Sequence, residues 1–304
     1  MAKKMVVVGG AGFIGSNLTE ALVARGDTVH VIDNLVGGKR EHVDPHATLH
    51  EIDIRDHEAL VPIVAGADTV FHLAALPRVQ YSIEHPQETN DVNVGGMLNV
   101  LKAAVDGNVR RVVYSASSSA YGDQETMPLV ETMPAHPLSP YGLQKYVGEL
   151  YARLFSDVYD LETVSLRYFN VYGKNQDPEG PYALVIGKFL KQRAMGEPLT
   201  ITGDGEQTRD FTHVSDVVRA NILASESSKV GNGEVVNIGA GENHSINRLA
   251  ALIGGEVVHV AARLEPKDTC ANTERAHTLL NWMPKVRLEE GVQELLVSHG
   301  LVSE

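Results

Sequence analysis

The chain has 304 residues, 43% hydrophobic and 21% charged, which excludes wholesale disorder and leaves enough chain for one large α/β domain or two joined smaller ones. Acidic side chains outnumber basic ones by 39 to 26, a net charge of −13 that argues against non-specific nucleic-acid or anionic-membrane binding. The single cysteine, Cys270, excludes an internal disulfide framework and points to a reducing compartment. The apolar run Met5 to Val8 that follows Lys3 and Lys4 is too short for a signal peptide, and no stretch approaches the ~20 apolar residues of a membrane span. A soluble, cytoplasmic protein is the expectation.

Apolar runs alternate with amphipathic stretches through the first half. Lys4 to Val8 reads as a buried strand, Gly15 to Arg25 as a helix, and Val29 to Ile32 as a second strand. Leu49 to Ile52, Asp68 to Leu73 and Arg111 to Ser115 read as further strands, with a helix over Val92 to Val105. This cadence predicts a Rossmann-type doubly wound parallel sheet with right-handed crossovers. Pro140 starts a helical pattern from Tyr141 to Tyr159, and Thr163 to Phe169 reads as the next strand. Beyond Asn170 the segments are shorter and richer in turns. The expected organisation is a Rossmann domain over residues 1–170 and a smaller C-terminal lobe over 171–304. The strand-like Gly233 to Gly239 brings the chain back to the sheet around 210–240, and Leu288 to Leu296 closes the chain as a helix.

The first strand runs into Gly9, Gly10, Ala11, Gly12, Phe13, Ile14 and Gly15 before the helix. Glycines there allow a tight turn and bring backbone N–H groups, at a helix N-terminus, against a pyrophosphate. Eighteen residues after Gly15, Asp33 ends the second strand, where a carboxylate accepts from ribose hydroxyls and repels a 2′-phosphate. The pattern favours NAD over NADP, although Lys39 and Arg40 follow closely. Asp53 ends the third strand within reach of an adenine amino group or is an ordinary strand-end acid.

Tyr141 and Lys145 are four apart on one helix and share a face. An ammonium beside a phenol stabilises the phenolate, which makes Tyr141 a candidate general base. The strand from Arg111 ends in the serines 115 and 117 to 119, at the carboxyl end where open α/β sheets bind ligands.

These motifs together resemble the extended short-chain dehydrogenase/reductase family, in its nucleotide-sugar epimerase and dehydratase branch. The matching pieces are GGAGFIGSNL from Gly9, DNL from Asp33, HLAA from His72, SASSSAYGD from Ser115, PLSPYGLQK from Pro137, RYFNVYG from Arg167 and GDGEQTRDFTHVSD from Gly203. They lie in family order over nearly the whole chain. Within the branch, SSSAYGD and NVYGKNQDPEGPYA are most similar to UDP-N-acetylglucosamine and UDP-glucose 4-epimerases.

The resemblance implies a set of roles. NAD would lie over Gly9, Gly12, Phe13, Ile14 and Gly15, with Asp33 and Asn34 at the ribose and Asp53 and Ile54 at the adenine. Leu73, Ala74, Ala75, Asn93, Ser115 and Tyr168 would line the cofactor. Tyr141 would be the base, Lys145 would hold the nicotinamide ribose, and Ser117 would orient the substrate hydroxyl. Asn170, Leu184, Val185, Arg209, Arg263 and Thr269 would bind a UDP-sugar, and a homodimer is implied. The helices near Val92 to Val105 and Gly142 to Tyr159 are the candidates to pack across its two-fold axis.

Dehydratases of the branch carry an acid just after the catalytic serine or threonine, whereas this chain has Ser118 and Ser119. The resemblance therefore implies 4-epimerisation through a 4-keto sugar. The alternatives are a nucleotide-sugar 4,6-dehydratase or a UDP-glucuronate-type epimerase or decarboxylase of the same family, and a non-catalytic NAD-binding sensor. Thr269 falls where epimerases restricted to plain hexoses carry a bulky aromatic, which implies room for a 2-acetamido group or mere packing of Thr269 against the lobe. Three positions depart from the pattern: Ala262 with Arg263 one place later, Pro77-Arg78 after the HLAAL run, and Leu184. His42, His46 and His50 recur every four residues, but Pro45 breaks the helix that a metal face would need, and no metal is expected. His213 reads as a structural hydrogen-bonder, Cys270 as a packed thiol, and Trp282 as the anchor of the terminal segment.

Overall fold

The structure is a computed structural model that describes residues 2–177, 184–262 and 266–303. In the first half of the chain the strands are β1 (Lys4–Val8), β2 (Thr28–Asp33), β3 (Thr48–Glu51), β4 (Thr69–His72) and β5 (Arg111–Ser117). Later come β6 (Glu162–Tyr168) and β9 (Asn232–Ile238). Among the described residues these form one parallel sheet in the order β3-β2-β1-β4-β5-β6-β9. The order reverses beside β1, the switch point where ligands of such sheets bind.

A sheet covered on both faces needs strands apolar on both sides, and β1 shows how the alternation is spent. Met5 and Val7 join one core with Leu18, Leu22, Phe71, Val217 and Trp282. Val6 and Val8 join the other with Leu60, Met97, Leu101 and Phe155. Helices α1 (Phe13–Ala24), α8 (Val214–Glu226) and α10 (Glu274–Leu280) contribute to the first core. Helices α2 (His57–Val64), α5 (Gly96–Asp106) and α6 (Pro140–Tyr159) contribute to the second. A third core joins α7 (Val185–Ala194), α9 (Ile246–Ile253), α11 (Leu288–Ser298) and β7 (Leu199–Thr202). Two small sheets among the described residues complete this part. β7 pairs with β11 (Val257–Val260), and β8 (Thr208–Arg209) pairs with β10 (His244–Ser245).

The structure departs from the sequence expectations in several places. α1 begins at Phe13 rather than Gly15, because Gly12 is its N-cap and its carbonyl already accepts from Ser16. β5 runs to Ser117 rather than Ser115, because its register with β6 continues to the Ser117–Tyr168 pair. The helix expected over Val92 to Val105 opens as a π-turn over Asp91–Gly95 and becomes α-helical only at Gly96. Two short helices, α3 (Val79–Glu84) and α4 (Pro86–Asn90), precede it. The region after Asn170 is more helical than expected. α8 has 13 residues, with Val214, Val217, Val218 and Ala224 buried on one face, a helical spacing present in the sequence.

His42 ends a 3-10 turn while His50 lies in β3, its ring stacked on His30 at 5.3 Å, so the three histidines share no helix face. Trp282 is fully buried, and its Nε1 donates to the Asp216 carbonyl at 2.9 Å, which ties the terminal segment to α8.

Candidate active site

The glycine loop is shaped by close approach. At Gly9 the backbone has φ +86°, and a Cβ there would lie 2.5 Å from Ala74 N. At Gly15 a Cβ would lie 2.0 Å from the Gly9 carbonyl oxygen. Side chains at these positions would force α1 away from the loop, so the bare backbone is what aims the α1 N-terminus over the sheet edge. Phe13 and Ile14 form its first turn, half-buried. On the other wall, Leu73 N and Ala74 N both donate to the Val8 carbonyl, and Ala75 follows. Asp33 is 8% exposed and accepts from Ala11 N at 3.0 Å and Leu35 N at 2.8 Å. Its carboxylate thus ties the loop to the end of β2.

Asn34 donates to Asp53 at 2.9 Å. Arg55 grips Asp53 with Nε and Nη2 at 2.9 and 2.8 Å, which holds the Asp53 carboxyl well below the usual carboxylate range. Ile54 is buried against Gly96. Asn93 accepts from Leu76 N at 2.8 Å and donates to Gln144 at 2.8 Å. The π-turn therefore sits where Asn93 links the segment after β4 to α6.

Ser117, Tyr141 and Lys145 come together. Ser139 caps α6 by accepting from Gly142 N at 3.1 Å, Pro140 fits the first turn, and Tyr141 N donates to Ser82 Oγ at 3.0 Å. The Lys145 ammonium is buried, donates to the Ser115 carbonyl at 2.8 Å and lies 5.1 Å from the centre of the Tyr114 ring. Ser117 closes β5 and accepts from Ser119 N at 3.1 Å. Burial pushes the Tyr141 phenol up to about 12, and the Ser117 hydroxyl beside it opposes that shift. Burial also pulls Lys145 down to about 7. Burial thus disfavours both charged forms, an effect that the four-residue spacing on the helix does not announce. Tyr168 is buried in the first core, and its hydroxyl donates to Asn221 at 2.9 Å rather than standing open in the cleft.

The third group assembles from distant segments. Asn170, at φ +26°, donates to the Asp210 carbonyl at 2.9 Å and to Thr269 Oγ1 at 3.4 Å. Thr269 is 9% exposed, and its N–H donates to the Thr208 carbonyl at 3.2 Å. Arg209 Nη1 donates to the carbonyls of Thr208 and Lys267 at 2.8 and 3.1 Å. Leu184 is the exposed N-cap of α7 and Val185 its first residue. Arg263 lies outside the described residues.

Sequence reading missed Ser82, Gln144, Arg55 and Asp210. Ser82 and Gln144 act through contacts between distant segments that no local spacing announces, whereas Arg55 grips Asp53 two residues before it, a local pair that the sequence does contain. Asp210 sits inside the RDF run, and its carboxylate accepts from Ala240 N, Gly241 N and Ala271 N at 2.6, 3.0 and 2.9 Å. Burial pushes that carboxyl up to about 6 against those three donors. Cys270 beside it has its thiol pushed up to about 11 by burial and by Asp210 and Glu242.

The chain is similar to known proteins over nearly its whole length. Residues 5–239 match the family model described as the NAD dependent epimerase/dehydratase family. A UDP-glucose 4-epimerase of Mycolicibacterium smegmatis is 33% identical over 95% of this chain and 96% of its own. A UDP-N-acetyl-alpha-D-glucosaminuronate decarboxylase of Bacillus cytotoxicus is also 33% identical, over 97% of both chains. Among solved structures, UDP-glucose 4-epimerase of Thermotoga maritima, with UDP-glucose, superposes with a TM-score of 0.93 at 38% identity, covering 98% of each chain. UDP-N-acetylglucosamine 4-epimerase of Methanobrevibacter ruminantium, in complex with UDP-N-acetylmuramic acid, gives 0.92 at 37% identity over 96% of each chain. The side-chain-free cradle at Gly9 and Gly15 and the carboxylate of Asp33 at the end of β2 fit a dinucleotide pyrophosphate and ribose. The chain belongs to the NAD-dependent epimerase/dehydratase family, and its cofactor is NAD.

Proposed function

We propose that the protein is a UDP-sugar 4-epimerase that interconverts gluco and galacto forms, N-acetylated or plain. The observation that carries this reading is the convergence of Ser117, Tyr141 and the buried Lys145 where the carboxyl end of β5 meets the first turns of α6, without an acid after Ser117. NAD bound along the glycine loop supplies a reversible hydride acceptor, which lets the sugar C4 be oxidised and re-reduced from its other face.

The chain's own residues do the rest. Tyr141 takes the C4 hydroxyl proton and later returns it. Ser117 holds that hydroxyl against the phenol. Lys145, as an ammonium, stabilises the phenolate as it forms and binds the nicotinamide ribose. Asn170 and Arg209 hold the diphosphate, where a guanidinium matches phosphate oxygens. Firm anchoring of UDP with a loosely held sugar permits the two poses that epimerisation requires. The small side chain of Thr269, beside Asn170, is consistent with space for a 2-acetamido group.

A Rossmann domain over residues 1–170 with return around 210–240, and a lobe over 171–304, would place the substrate between them. Leu143, Leu150, Leu154 and Val158 are 50, 51, 49 and 59% exposed and form one stripe on α6. This stripe would pair with a second copy as a homodimer, and a monomer by sedimentation equilibrium would remove that part of the reading.

The test of function is a product assay by proton NMR with enzyme, NAD and either UDP-N-acetylglucosamine or UDP-glucose. Formation of the galacto epimer without net NADH establishes the reaction and ranks the sugars. A 4-keto-6-deoxy or decarboxylated product from UDP-glucose or a UDP-uronic acid would install the alternative that the decarboxylase relative represents.

A further inference from the structure

Lys145 is buried at the foot of the cleft, and an unsupported ammonium there would lose its proton. The groups that face it come from four elements. Tyr141 and Glu149 flank it on α6. Tyr114 of β5 lies under it, and His72 of β4 stacks on Tyr114 at 5.8 Å. Arg167 of β6 stands behind Glu149. Burial and the nearby Lys145 push His72 down to about 3, so that it is neutral, and burial raises the Tyr114 phenol, so that it too carries no charge.

Of these neighbours Glu149 alone carries a carboxyl group. It lies one turn after Lys145 on the same buried face of α6, the i,i+4 position whose side chains meet. Its carboxylate side chain is 2% exposed and is gripped by both arms of Arg167, Nε to Oε1 at 2.8 Å and Nη2 to Oε2 at 2.7 Å. Burial raises the Glu149 carboxyl, and the Arg167 guanidinium and then Lys145 oppose that shift. The Arg167 guanidinium in turn lies 4.4 Å from the centre of the Tyr121 ring, whose hydroxyl donates to Asn237 at 2.7 Å. The pair is thus held in place from both ends, its carboxylate side chain one helical turn from Lys145 on α6 and its guanidinium over an aromatic face. A buried ion pair adds little to stability by itself, which leaves its orientation as the feature to explain.

We propose that Glu149, locked by Arg167, is a positioning residue that keeps Lys145 in its ammonium form beneath Tyr141. The inference rests on the assignment of Lys145 to the reaction. Burial pulls the Lys145 ammonium down and Glu149 opposes that shift, in the direction the geometry requires.

The test titrates Lys145 directly, by NMR of 13Cε-labelled lysine in the protein, and in parallel records kcat and KM against pH. Glu149→Gln should move the Lys145 midpoint down by about one pH unit or more. The high-pH limb of kcat should move with it, and KM for the UDP-sugar should stay near wild type. Where the single change leaves Arg167 unpaired and prevents folding, Glu149→Gln combined with Arg167→Gln replaces the ion pair with an amide pair and carries the same expectation. A Lys145 midpoint that stays at the wild-type value in the folded variant overturns the proposal. So does a uniform drop in kcat at every pH, which is the mark of a structural role. If wild-type protein converts no UDP-sugar, the functional reading fails, while the NMR midpoint still decides the role of Glu149.

Discussion

The cofactor half and the substrate half of the cleft are built in opposite ways. The glycine loop is a short continuous segment in which a Cβ at Gly15 would collide with the Gly9 carbonyl, and Asp33 reaches back to Ala11 across one βαβ step. The substrate half has no such segment. Asn170, Arg209 and Thr269 are held by the backbone carbonyls of Asp210, Thr208 and Lys267, and Asp210 ties two further segments of chain together, one through Ala240 and Gly241 and one through Ala271. The first half depends on what is absent at two positions, and the second on hydrogen bonds that exist only when distant segments meet. Damage to the first should therefore act through sterics on NAD alone, and damage to the second through loss of a shared frame.

The largest effect is expected where the halves meet. Tyr141→Phe should lower turnover by about two to four decades while UDP-sugar and NAD still bind, measured by steady-state kinetics and calorimetry. Turnover near wild type would remove the phenol from its role. Next, Gly15→Ala places a methyl group against the Gly9 carbonyl, and NAD affinity should fall by about a hundredfold, near the upper end of overpacking costs, with UDP binding little changed. Equal loss of both ligands would erase the distinction drawn between the halves.

Asp210→Asn reverses that pattern. It turns an acceptor into a donor facing backbone N–H groups, and UDP-sugar KM should rise by about tenfold, the scale of one unsatisfied buried group, with NAD affinity near wild type. The same residue gives a pH signature. The folded Asp210 carboxyl sits at about 6, above its unfolded value, so its contribution to stability is fully present at low pH. That contribution is lost as pH rises through the folded value, because the unfolded chain ionises first. Chemical denaturation of the Asp210→Asn variant across that window should lack the decline. The smallest effect is a ratio: Thr269→Tyr should depress activity on UDP-N-acetylglucosamine about tenfold more than on UDP-glucose, and equal loss on both would show that the side chain does not gate the sugar.

The alternating strands, the glycine loop, the acid at the end of β2 and the Tyr141–Lys145 spacing are determined by the sequence alone, because each rests on local chain geometry with a fixed period. The buried face of α8 is equally legible by spacing, although the turn-rich texture after Asn170 hides it. Only the tertiary structure decided the electrostatics. Lys145 and Tyr141 are adjacent on a helix, but the burial that shifts both charged forms comes from the strands and loops packed around them. The partner that opposes this for Lys145 depends on Arg167, a strand residue 18 positions beyond Glu149 that meets it only when β6 packs beneath α6. Charge and desolvation act through space, so no spacing along the chain could have stated them.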